Sequence, residues 1–419
     1  MPLEATTLIP TSLAGAPWLV RRETRAVLAA LAAAGHEARI VGGAVRNALL
    51  GEAIGDIDIA TTARPDGVMS AARAAGIEAI PTGVSHGTVT VISGHVPFEV
   101  TTLREDVETF GRHARVAFTA NWEADARRRD FTINALYCDA DGTLSDPIGG
   151  LADLAARRIR FIGDARARIR EDALRILRFF RFHARYSPGK IDAEGLAACA
   201  AERPLLAGLS AERVRTEFLK LLDAPGAAPV VAAMAGHGFV VAILGRAPRI
   251  GMLSRLVSQD AARRRPADPH LRLSVLAVAV EEDRDHLAAR LRLSRDEARA
   301  LVVIDPRLTA LVALDEAGQR RALYAIGPER WRCMAMAGAA GAESAAAIAA
   351  WDSLGALPER WAVPRFPLAG RDALALGLAP GPRIGALLAE IEAEWIASDF
   401  AADAVALEAR LAARIRESL

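Results

Sequence analysis

Two acidic residues separated by a single isoleucine constrain the fold of this chain more than any other feature. Asp56 and Asp58 alternate with Ile57 and Ile59, which predicts a β-strand over residues 56–60 with one acidic and one apolar face. Alternate side chains of a strand point to the same side, so we expect both carboxylates on one face. Paired carboxylates suit Mg²⁺, which completes its coordination with water and phosphate oxygens. The segment predicts a metal site for a phosphate substrate, although an exposed strand end has the same pattern.

A pair of glycines lies about a dozen residues before the acidic strand. Gly42 and Gly43 separate a predicted strand, Ala38–Val41, from a predicted helix over residues 45–50. Glycines at such a turn let backbone N–H groups approach a phosphate, and Arg46 adds positive charge one turn into the helix. Alone, the pair also fits an ordinary tight turn. Together with the acidic strand it predicts a nucleotidyl-transfer centre that binds a nucleoside triphosphate.

Two further segments add charged candidates to this site. Glu99 alternates with apolar residues on a predicted strand over residues 98–101, so it is either a third metal carboxylate or the exposed face of an edge strand. Arg127, Arg128 and Arg129 immediately precede an apolar segment. Such a cluster suits a triphosphate, although a basic solvated turn has the same composition.

A third basic segment has helical periodicity over residues 170–182. Four charged residues recur every three positions along it: Asp172, Arg175, Arg178 and Arg181. Residues three apart are neighbours on a helix surface, so the row can reach a base at one end and a phosphate or primer at the other. Ten arginines between residues 157 and 185 face only three acids, so the excess positive charge needs a partner.

Asp172 and Arg175 also suggest how a base is chosen. A carboxylate accepts from an exocyclic amino group, while a guanidinium donates to a ring nitrogen or a carbonyl. Cytosine and adenine offer that pattern, whereas uracil and guanine present the wrong partners. A protein template that selects C and A is one hypothesis, and a local Asp172–Arg175 ion pair on an amphipathic helix is the alternative.

The composition limits the class of protein. The 419 residues are 52% hydrophobic, enough for several domains, and the net charge of +1 means that any nucleic-acid surface arises by local clustering. The cysteines show no Cys-x-x-Cys spacing, which argues against a zinc ribbon or a disulfide framework and indicates a reducing compartment. The chain has no uninterrupted apolar run of about 18 residues and no signal or transit signature, so we expect a cytoplasmic protein without a membrane span.

Secondary-structure signals divide the chain into two parts. Apolar spacing over residues 18–34 predicts a helix. Strands are predicted over residues 38–41, 56–60, 88–92, 98–101 and 135–139. The last strand precedes a predicted turn at Asp141 and Gly142, and beyond residue 163 helical periods run almost to the end of the chain. The predicted fold class is α+β, an α/β unit followed by an all-α remainder.

Together these motifs resemble the class II tRNA nucleotidyltransferase and poly(A) polymerase family. The resemblance rests on Gly42-Gly43-Ala44-Val45-Arg46, Asp56-Ile57-Asp58, Arg128-Arg129-Asp130-Phe131-Thr132-Ile133-Asn134 and Glu171-Asp172-x-x-Arg175. It covers about residues 36–185 densely, and Gly370-Arg371-Asp372 is similar to part of the family's tail domain. Residues 101–113 resemble the family's flexible loop.

The resemblance implies a DNA polymerase β-like nucleotidyltransferase head followed by a helical neck, body and tail. The expected parts are an N-terminal helix packed on the head (1–35), the catalytic head (36–162), a base-recognising neck (163–225), the body (226–330) and a tRNA-binding tail (331–419). It also implies template-independent addition of CCA to tRNA 3′ ends from CTP and ATP, with release of pyrophosphate, by a two-metal mechanism that uses Mg²⁺.

The resemblance also assigns roles to residues by matching motif. Asp56 and Asp58 would be catalytic and bind the metal. The nucleotide would be bound by Gly43, Arg46, Arg129, Asp172, Arg175, Arg178 and Arg181. Among these, Arg129 would bind the triphosphate, and Asp172 with Arg175 would read the base.

The sequence leaves several alternatives open. A poly(A) polymerase or a partial CC- or A-adding enzyme shares every one of these catalytic residues, and an inactive RNA-binding homologue would keep the basic neck. A monomer and a homodimer both fit. Asn47 stands where the family usually has Asp, so we expect an amide rather than a carboxylate to orient Arg46.

Overall fold

Strands and helices segregate along the chain, as the change of hydrophobic period near residue 163 predicts. The computed structural model describes residues 9–110, 113–304 and 306–417. Contacts divide the chain into two units, residues 1–245 and 246–419. Within the described ranges, every residue after 163 that belongs to a regular element is helical, which confirms the predicted α+β class.

The described strands all lie in the first unit. They are β1 Ala38–Val41, β2 Asp58–Thr61, β3 Glu78–Gly83, β4 Thr88–Ser93, β5 Val96–Thr102, β6 Arg104–Phe110, β7 His113–Phe118, β8 Tyr137–Cys138 and β9 Leu144–Ser145. In this part of the chain, seven strands form one sheet in the order β3-β4-β5-β2-β1-β8-β9, and β6 pairs with β7 as a separate hairpin. Gly111 and Arg112, part of the expected flexible loop, lie outside the described residues.

Helices of the first unit flank this sheet and continue beyond it. They are α1 Pro17–Val20, α2 Arg22–Ala33, α3 Gly43–Leu50, α4 Pro65–Ala74, α5 Trp122–Arg127, α6 Gly150–Ala155, α7 Ala165–Glu171, α8 Leu174–Tyr186, α9 Ala193–Ala201, α10 Ala211–Asp223, α11 Ala227–Gly236 and α12 Phe239–Leu244. Side-chain caps set several starts. Asn121 accepts from the backbone N–H of Glu123 at the start of α5, and Asp164 accepts from Ala167 at the start of α7.

The second unit is helical throughout its described elements. These are α13 Ile250–Ala262, α14 Pro269–Ala277, α15 Glu281–Leu291, α16 Arg295–Ala300, α17 Pro306–Ala313, α18 Glu316–Ile326, α19 Pro328–Gly341, α20 Ala345–Gly355, α21 Leu357–Arg360, α22 Gly370–Ala375, α23 Pro382–Ala397 and α24 Ala404–Glu417. α19 and α20 pack closely because Gly338 leaves room for the Trp351 ring, which would stand 2.4 Å from a Cβ there. Among the described helices, none is long and apolar enough to cross a membrane.

The pairing register of three central strands positions the candidate site. β1 runs antiparallel to β2 with Val41 opposite Asp58, and β2 runs parallel to β5 with Asp58 opposite Glu99. The end of β1, the start of β2 and Glu99 therefore meet at one end of the sheet. Since Gly42 follows Val41 directly, the glycine turn begins beside Asp58.

A cluster of aromatic rings holds α8 against the segment that follows α5. Phe131 lies 5.0 Å from Phe161 and 5.2 Å from Phe182 between ring centroids, and Phe161 stacks on Phe179 at 5.3 Å. All four rings are buried. Such contacts combine a large buried apolar area with preferred ring geometry, so the basic helix α8 has a fixed position relative to the sheet.

Several predicted elements have different bounds in the structure. The strand expected over residues 56–60 begins only at Asp58. The helix expected over residues 18–34 is interrupted at Arg21, whose ψ of 147° is extended. The strand expected over residues 135–139 is shorter because Thr132–Asn134 form a 3-10 turn before it. The turn after β8 is confirmed, with Gly142 at a φ of 91°.

The prediction of one helix over residues 170–182 is wrong. α7 ends at Glu171, and Asp172 has an extended backbone with φ −151° and ψ 105°. Its Oδ1 accepts from the N–H of Leu174 at 3.1 Å, a local turn in which the short acidic side chain competes with helical hydrogen bonding. β3, β6, β7 and β9 were not predicted from the sequence.

Candidate active site

Two carboxylates at the start of β2 lie exposed at this end of the sheet. Asp56 and Asp58 are exposed, whereas Ile57 and Ile59 are 2% and 0% exposed, which confirms the predicted alternation of exposed and buried residues, with Asp56 just before the strand rather than within it. Neither carboxylate has a hydrogen bond or ion pair within the described ranges. Displacement of water by nearby protein atoms, and then the charge of Glu99, raise the pKa of Asp58 above its ordinary value. A cation beside Asp58 would relieve this repulsion.

The donor set at this edge fits a divalent cation. Glu99 is exposed and lies opposite Asp58 on β5, but no group of three or more His, Cys, Asp or Glu side chains with metal-binding geometry occurs among the described residues. Asp56, Asp58 and Glu99 therefore do not form a three-carboxylate cluster here. Two exposed carboxylates with no protein partner are the hard oxygen ligands that Mg²⁺ uses when water and phosphate complete its coordination.

The turn between β1 and α3 requires a glycine. Gly42 has φ 73° and ψ −116°, and a Cβ there would stand 3.5 Å from the Asn134 carbonyl oxygen and 3.7 Å from Arg129 Nη1. α3 begins at Gly43, and the first N–H groups of a helix have no acceptor within the helix. The turn is therefore suited to phosphate oxygens, as its sequence predicts.

Arg46 lies inside the protein rather than on the face of α3 that meets solvent. It is 6% exposed, and its Nη2 donates to the Tyr186 hydroxyl at 2.8 Å and to Asn47 Oδ1 at 2.9 Å. Its Nη1 donates to Asn134 Oδ1. An amide thus orients Arg46, as Asn47 predicts. Burial, the largest cause, lowers the pKa of Arg46 from its ordinary value.

The arginine cluster after α5 is organised by one acid. Arg128 Nε donates to Asp125 Oδ1 at 2.8 Å, and Arg129 Nη2 donates to Asp125 Oδ2 at 3.0 Å. Arg127 instead pairs with the exposed Glu123 on its own helix. The basic solvated turn is therefore the correct interpretation for Arg127 only, because Arg128 and Arg129 are held inward.

The local Asp172–Arg175 ion pair, which the sequence offered as the alternative to base reading, does not form. Asp172 Oδ2 accepts from Arg213 Nη2 at 2.7 Å, whereas Arg175 pairs with Glu171 and donates to the Arg168 carbonyl oxygen at 2.8 Å. Both residues nevertheless remain near one another, since the Arg175 N–H donates to the Asp172 carbonyl oxygen at 3.0 Å.

Arg178 and Arg181, the other two arginines of the row, form ion pairs with acids from distant segments of the chain. Arg178 Nη2 lies 2.6 Å from Asp130 Oδ2, and Arg181 Nε lies 2.6 Å from Glu217 Oε2. Both guanidinium groups also lie over the Phe182 ring, at 5.3 and 4.4 Å from its centroid. The excess positive charge near residues 157–185 is thus partly balanced by acids from other elements.

Sequence reasoning quoted Asp130 and Asn134 within the motif that carries the resemblance, but it gave no role to any of the residues that support these arginines. They are Asp125, Asp130, Asn134, Tyr137, Tyr186, Arg213 and Glu217. Asp125 had a usable signal, since an acid three and four residues before two arginines on a helix can reach both. The partners of α8 had none, because pairs separated by tens of residues depend on the tertiary fold.

Asp130 supplies a prediction for the pH dependence of stability. Burial favours its neutral form, but the charge of Arg178 outweighs this and lowers the pKa of Asp130 below its ordinary value. A lowered carboxyl pKa stabilises the fold above about pH 4, and this contribution is lost as pH falls through the folded-state pKa. Asp130→Asn leaves Arg178 without its acidic partner. Since Arg178 is partly exposed and water can solvate part of its charge, the free energy of unfolding at neutral pH should fall by only about 2 kcal/mol.

The measurement is urea unfolding of the wild type and of Asp130→Asn across the acidic range. The difference between them should be constant at neutral pH and shrink below about pH 4. Glu78→Gln, at an exposed carboxylate on β3, is the control and should leave the unfolding midpoint unchanged. A difference of constant size down to the acid limit would contradict the assignment.

Known proteins are similar to this chain in sequence and in fold. The profile of the poly(A) polymerase head domain matches residues 38–160, and a profile described as a probable RNA- and SrmB-binding site of polymerase A matches residues 190–246. The mitochondrial CCA tRNA nucleotidyltransferase 1 of Mus musculus is 37% identical over 383 residues, which are 87% of this chain and 84% of the relative. The CCA-adding enzyme of Geobacillus thermodenitrificans is 38% identical over 298 residues, 69% of this chain and 72% of the relative.

A solved structure extends the similarity to nearly the whole chain. The crystal structure of the Bacillus stearothermophilus CCA-adding enzyme in complex with CTP has a TM-score of 0.69 and 28% sequence identity, and the alignment covers 95% of this chain and 98% of that one. By its identity to these relatives and the share of them that it spans, this chain belongs to the family of CCA-adding tRNA nucleotidyltransferases.

Proposed function

We propose that this protein adds the sequence CCA to tRNA 3′ ends, using CTP and ATP and no nucleic-acid template. Each addition joins the 3′-oxygen of the RNA to the α-phosphorus of the nucleotide and breaks the bond from that phosphorus to the departing pyrophosphate. The observation that carries the proposal is the meeting of two partnerless carboxylates, Asp56 and Asp58, with the Gly42–Gly43 turn at one end of the sheet.

The residues at this end of the sheet divide the work of phosphoryl transfer. Asp56 and Asp58 would hold Mg²⁺, which would neutralise charge on the phosphates and activate the attacking hydroxyl. The N–H groups at Gly43 and the guanidinium of Arg129 hold the triphosphate, so that the α-phosphorus faces the RNA 3′-hydroxyl. Arg46 supports the turn from below through Asn134 and adds positive charge to the same region. Catalysis of this kind depends on positioning and electrostatic stabilisation.

The neck residues choose the base in this proposal. Asp172 and Arg175 lie at the break between α7 and α8, and Arg178 and Arg181 continue the row along α8. A cavity of about 530 Å³ beside the break is lined by Asp172 and Arg213, among others. Since Arg213 and Glu171 hold the two base-reading groups in the free protein, a bound base shares or replaces these contacts.

The proposal includes a macromolecular substrate and a compartment. tRNA is the acceptor, and the helical remainder after residue 225 binds its body by shape and phosphate contact. The three cysteines are free, which accords with a reducing compartment such as the cytoplasm.

The products of the reaction test the proposed function most directly. With a tRNA that lacks its 3′ CCA, CTP alone should extend the RNA by two cytidines, ATP alone should give no extension, and both together should give CCA. Sequencing the RNA 3′ ends measures the outcome. A homopolymer of adenosine would identify a poly(A) polymerase, and a product that ends after CC with both nucleotides present would identify a partial enzyme.

Replacing one carboxylate tests the metal site. Asp58→Asn should reduce nucleotide incorporation at least about a thousandfold, because one charged metal ligand is lost. tRNA binding, measured by filter retention, should be unchanged. Asp66→Asn, which changes another exposed carboxylate in the same way, is the matched control and should incorporate nucleotides as the wild type does. Chelation of metal ions should abolish incorporation by the wild type, and addition of Mg²⁺ should restore it. Retained incorporation in Asp58→Asn would eliminate this metal assignment.

Base selection is tested at the break between α7 and α8. Asp172→Ala should narrow the preference for CTP and ATP over UTP and GTP by about tenfold or more, because the acceptor for the exocyclic amino group is lost. The measurement is kcat/KM for each of the four nucleotides. Arg213→Gln removes the arginine that holds Asp172 but keeps the Asp172 carboxylate. This variant therefore distinguishes loss of the base-reading carboxylate from loss of the arginine that positions it. Unchanged selectivity in Asp172→Ala would contradict a protein template.

A further inference from the structure

The buried carboxylate of Asp125 accepts hydrogen bonds from several residues in and around the arginine cluster. Asp125 on α5 is 1% exposed. Its Oδ2 accepts from Arg129 Nη2 at 3.0 Å, from Arg129 Nε at 3.3 Å and from the Tyr137 hydroxyl at 2.9 Å. Its Oδ1 accepts from Arg128 Nε at 2.8 Å and from the backbone N–H of Arg104 at 3.4 Å. A charge this deeply buried is tolerated because both oxygens are fully engaged.

These contacts fix the orientation of Arg129. The Nε–Nη2 edge of its guanidinium is bound to Asp125, and the Tyr137 ring lies 5.5 Å below its central carbon. The remaining nitrogen, Nη1, stands 3.7 Å from the place that a Cβ on Gly42 would occupy. A planar guanidinium held along one edge presents its other donors in a known direction, which here is the glycine turn.

The charges of the cluster agree with this geometry. Burial alone would favour the neutral acid, but Arg129 and Arg128 outweigh it and keep the pKa of Asp125 below its ordinary value. Burial alone would lower the pKa of Arg129, but the charge of Asp125 outweighs this and raises that pKa above its ordinary value. Both groups are therefore charged at neutral pH, and the charge of Arg129 offsets part of the rise in the pKa of Asp58 that burial and Glu99 cause.

We propose that Asp125 is a positioning residue for the triphosphate: it holds Arg129 by one edge so that the free edge meets phosphate oxygens at the Gly42–Gly43 turn. The inference rests on the proposed function and adds to it. Since CTP, ATP and the product pyrophosphate share these phosphates, Asp125 affects all of them equally and takes no part in choosing the base.

A purely structural role for Asp125 leads to different expectations. Its contact to the N–H of Arg104 at the start of β6 also ties the hairpin to α5, and removing that tie would lower stability without a preference among ligands. A positioning role instead changes nucleotide KM and pyrophosphate affinity together, and its effect disappears when Arg129 is already absent.

The experiment compares Asp125→Asn with Glu123→Gln, an acid-to-amide change two residues away on the exposed side of the same helix. We expect Asp125→Asn to raise KM for CTP and for ATP by the same factor of about ten, because an amide nitrogen replaces one charge-bearing acceptor. The inhibition constant of inorganic pyrophosphate should rise in parallel, and the KM for tRNA should not change. Glu123→Gln should match the wild type in all of these.

A double-mutant cycle separates positioning from folding. In an Arg129→Lys background, adding Asp125→Asn should change nucleotide KM less than about twofold, because the group that it positions is gone. If Asp125→Asn does not fold, Tyr137→Phe keeps the ring and the carboxylate but removes one donor to Oδ2. It should raise both nucleotide KM values and the pyrophosphate constant together by about threefold.

Three results would overturn the inference. They are an unchanged nucleotide KM in folded Asp125→Asn, a rise in KM for only one of the two nucleotides, and an equal effect of Asp125→Asn with and without Arg129. If only Tyr137→Phe folds, unchanged nucleotide KM values and an unchanged pyrophosphate constant in that variant would also overturn the inference. Pyrophosphate affinity can be measured by calorimetry without RNA. A wild type that fails to add CCA would therefore refute the proposed function while leaving this inference testable.

Discussion

Compensation of buried guanidinium charge is the constraint on which the rest of this structure depends. An unpaired charge in the interior is strongly destabilising, so an inward-facing arginine needs either an acid or several neutral hydrogen-bond acceptors. Asp125 holds Arg129 within one segment, whereas Asp130 reaches from the sheet side to Arg178 on α8, and Glu217 reaches from α10 to the same helix. The ion pairs that satisfy the charges therefore also connect the segment after α5 to α8, and α8 to α10, and they decide which edges of the arginines remain available to other groups.

The sheet supplies the other half of the site through its register. Because β1 runs antiparallel to β2, the chain leaves the sheet at Gly42 beside the point where it enters again at Asp58. A shift by one residue would turn Asp58 toward the core and Ile59 toward solvent, so burial of Ile57 and Ile59 fixes the carboxylate on the open face. The phosphate turn and the acidic residues thus lie together as a result of strand pairing, before any ligand contributes.

Sequence reasoning reached the fold class, the glycine turn and the two acidic residues because each depends on local physics. Period-two alternation around Asp58 and the absence of a Cβ at Gly42 are visible within a few residues. The break at Asp172 was missed because helical periodicity over residues 170–182 is strong, and a single side chain that bonds the N–H of Leu174 overrides it. The partners of Asp172 and Arg178 were out of reach because Arg213 and Asp130 lie more than 40 residues away in the chain.

The free protein has complementary charges that its own residues do not satisfy. Arg46 is buried among neutral partners, Asn47, Asn134 and Tyr186, and no carboxylate of the described residues forms an ion pair with it. At the neighbouring edge, the carboxylates of Asp56 and Asp58 form no hydrogen bond or ion pair with the described residues. The Asp125 and Asp130 pairs show that this region places an acid beside an arginine wherever the fold alone requires it. Under the proposed function, a nucleoside triphosphate bound with a divalent cation would bring an anion to one set and a cation to the other, so the electrostatic imbalance at this end of the sheet would favour binding of that complex.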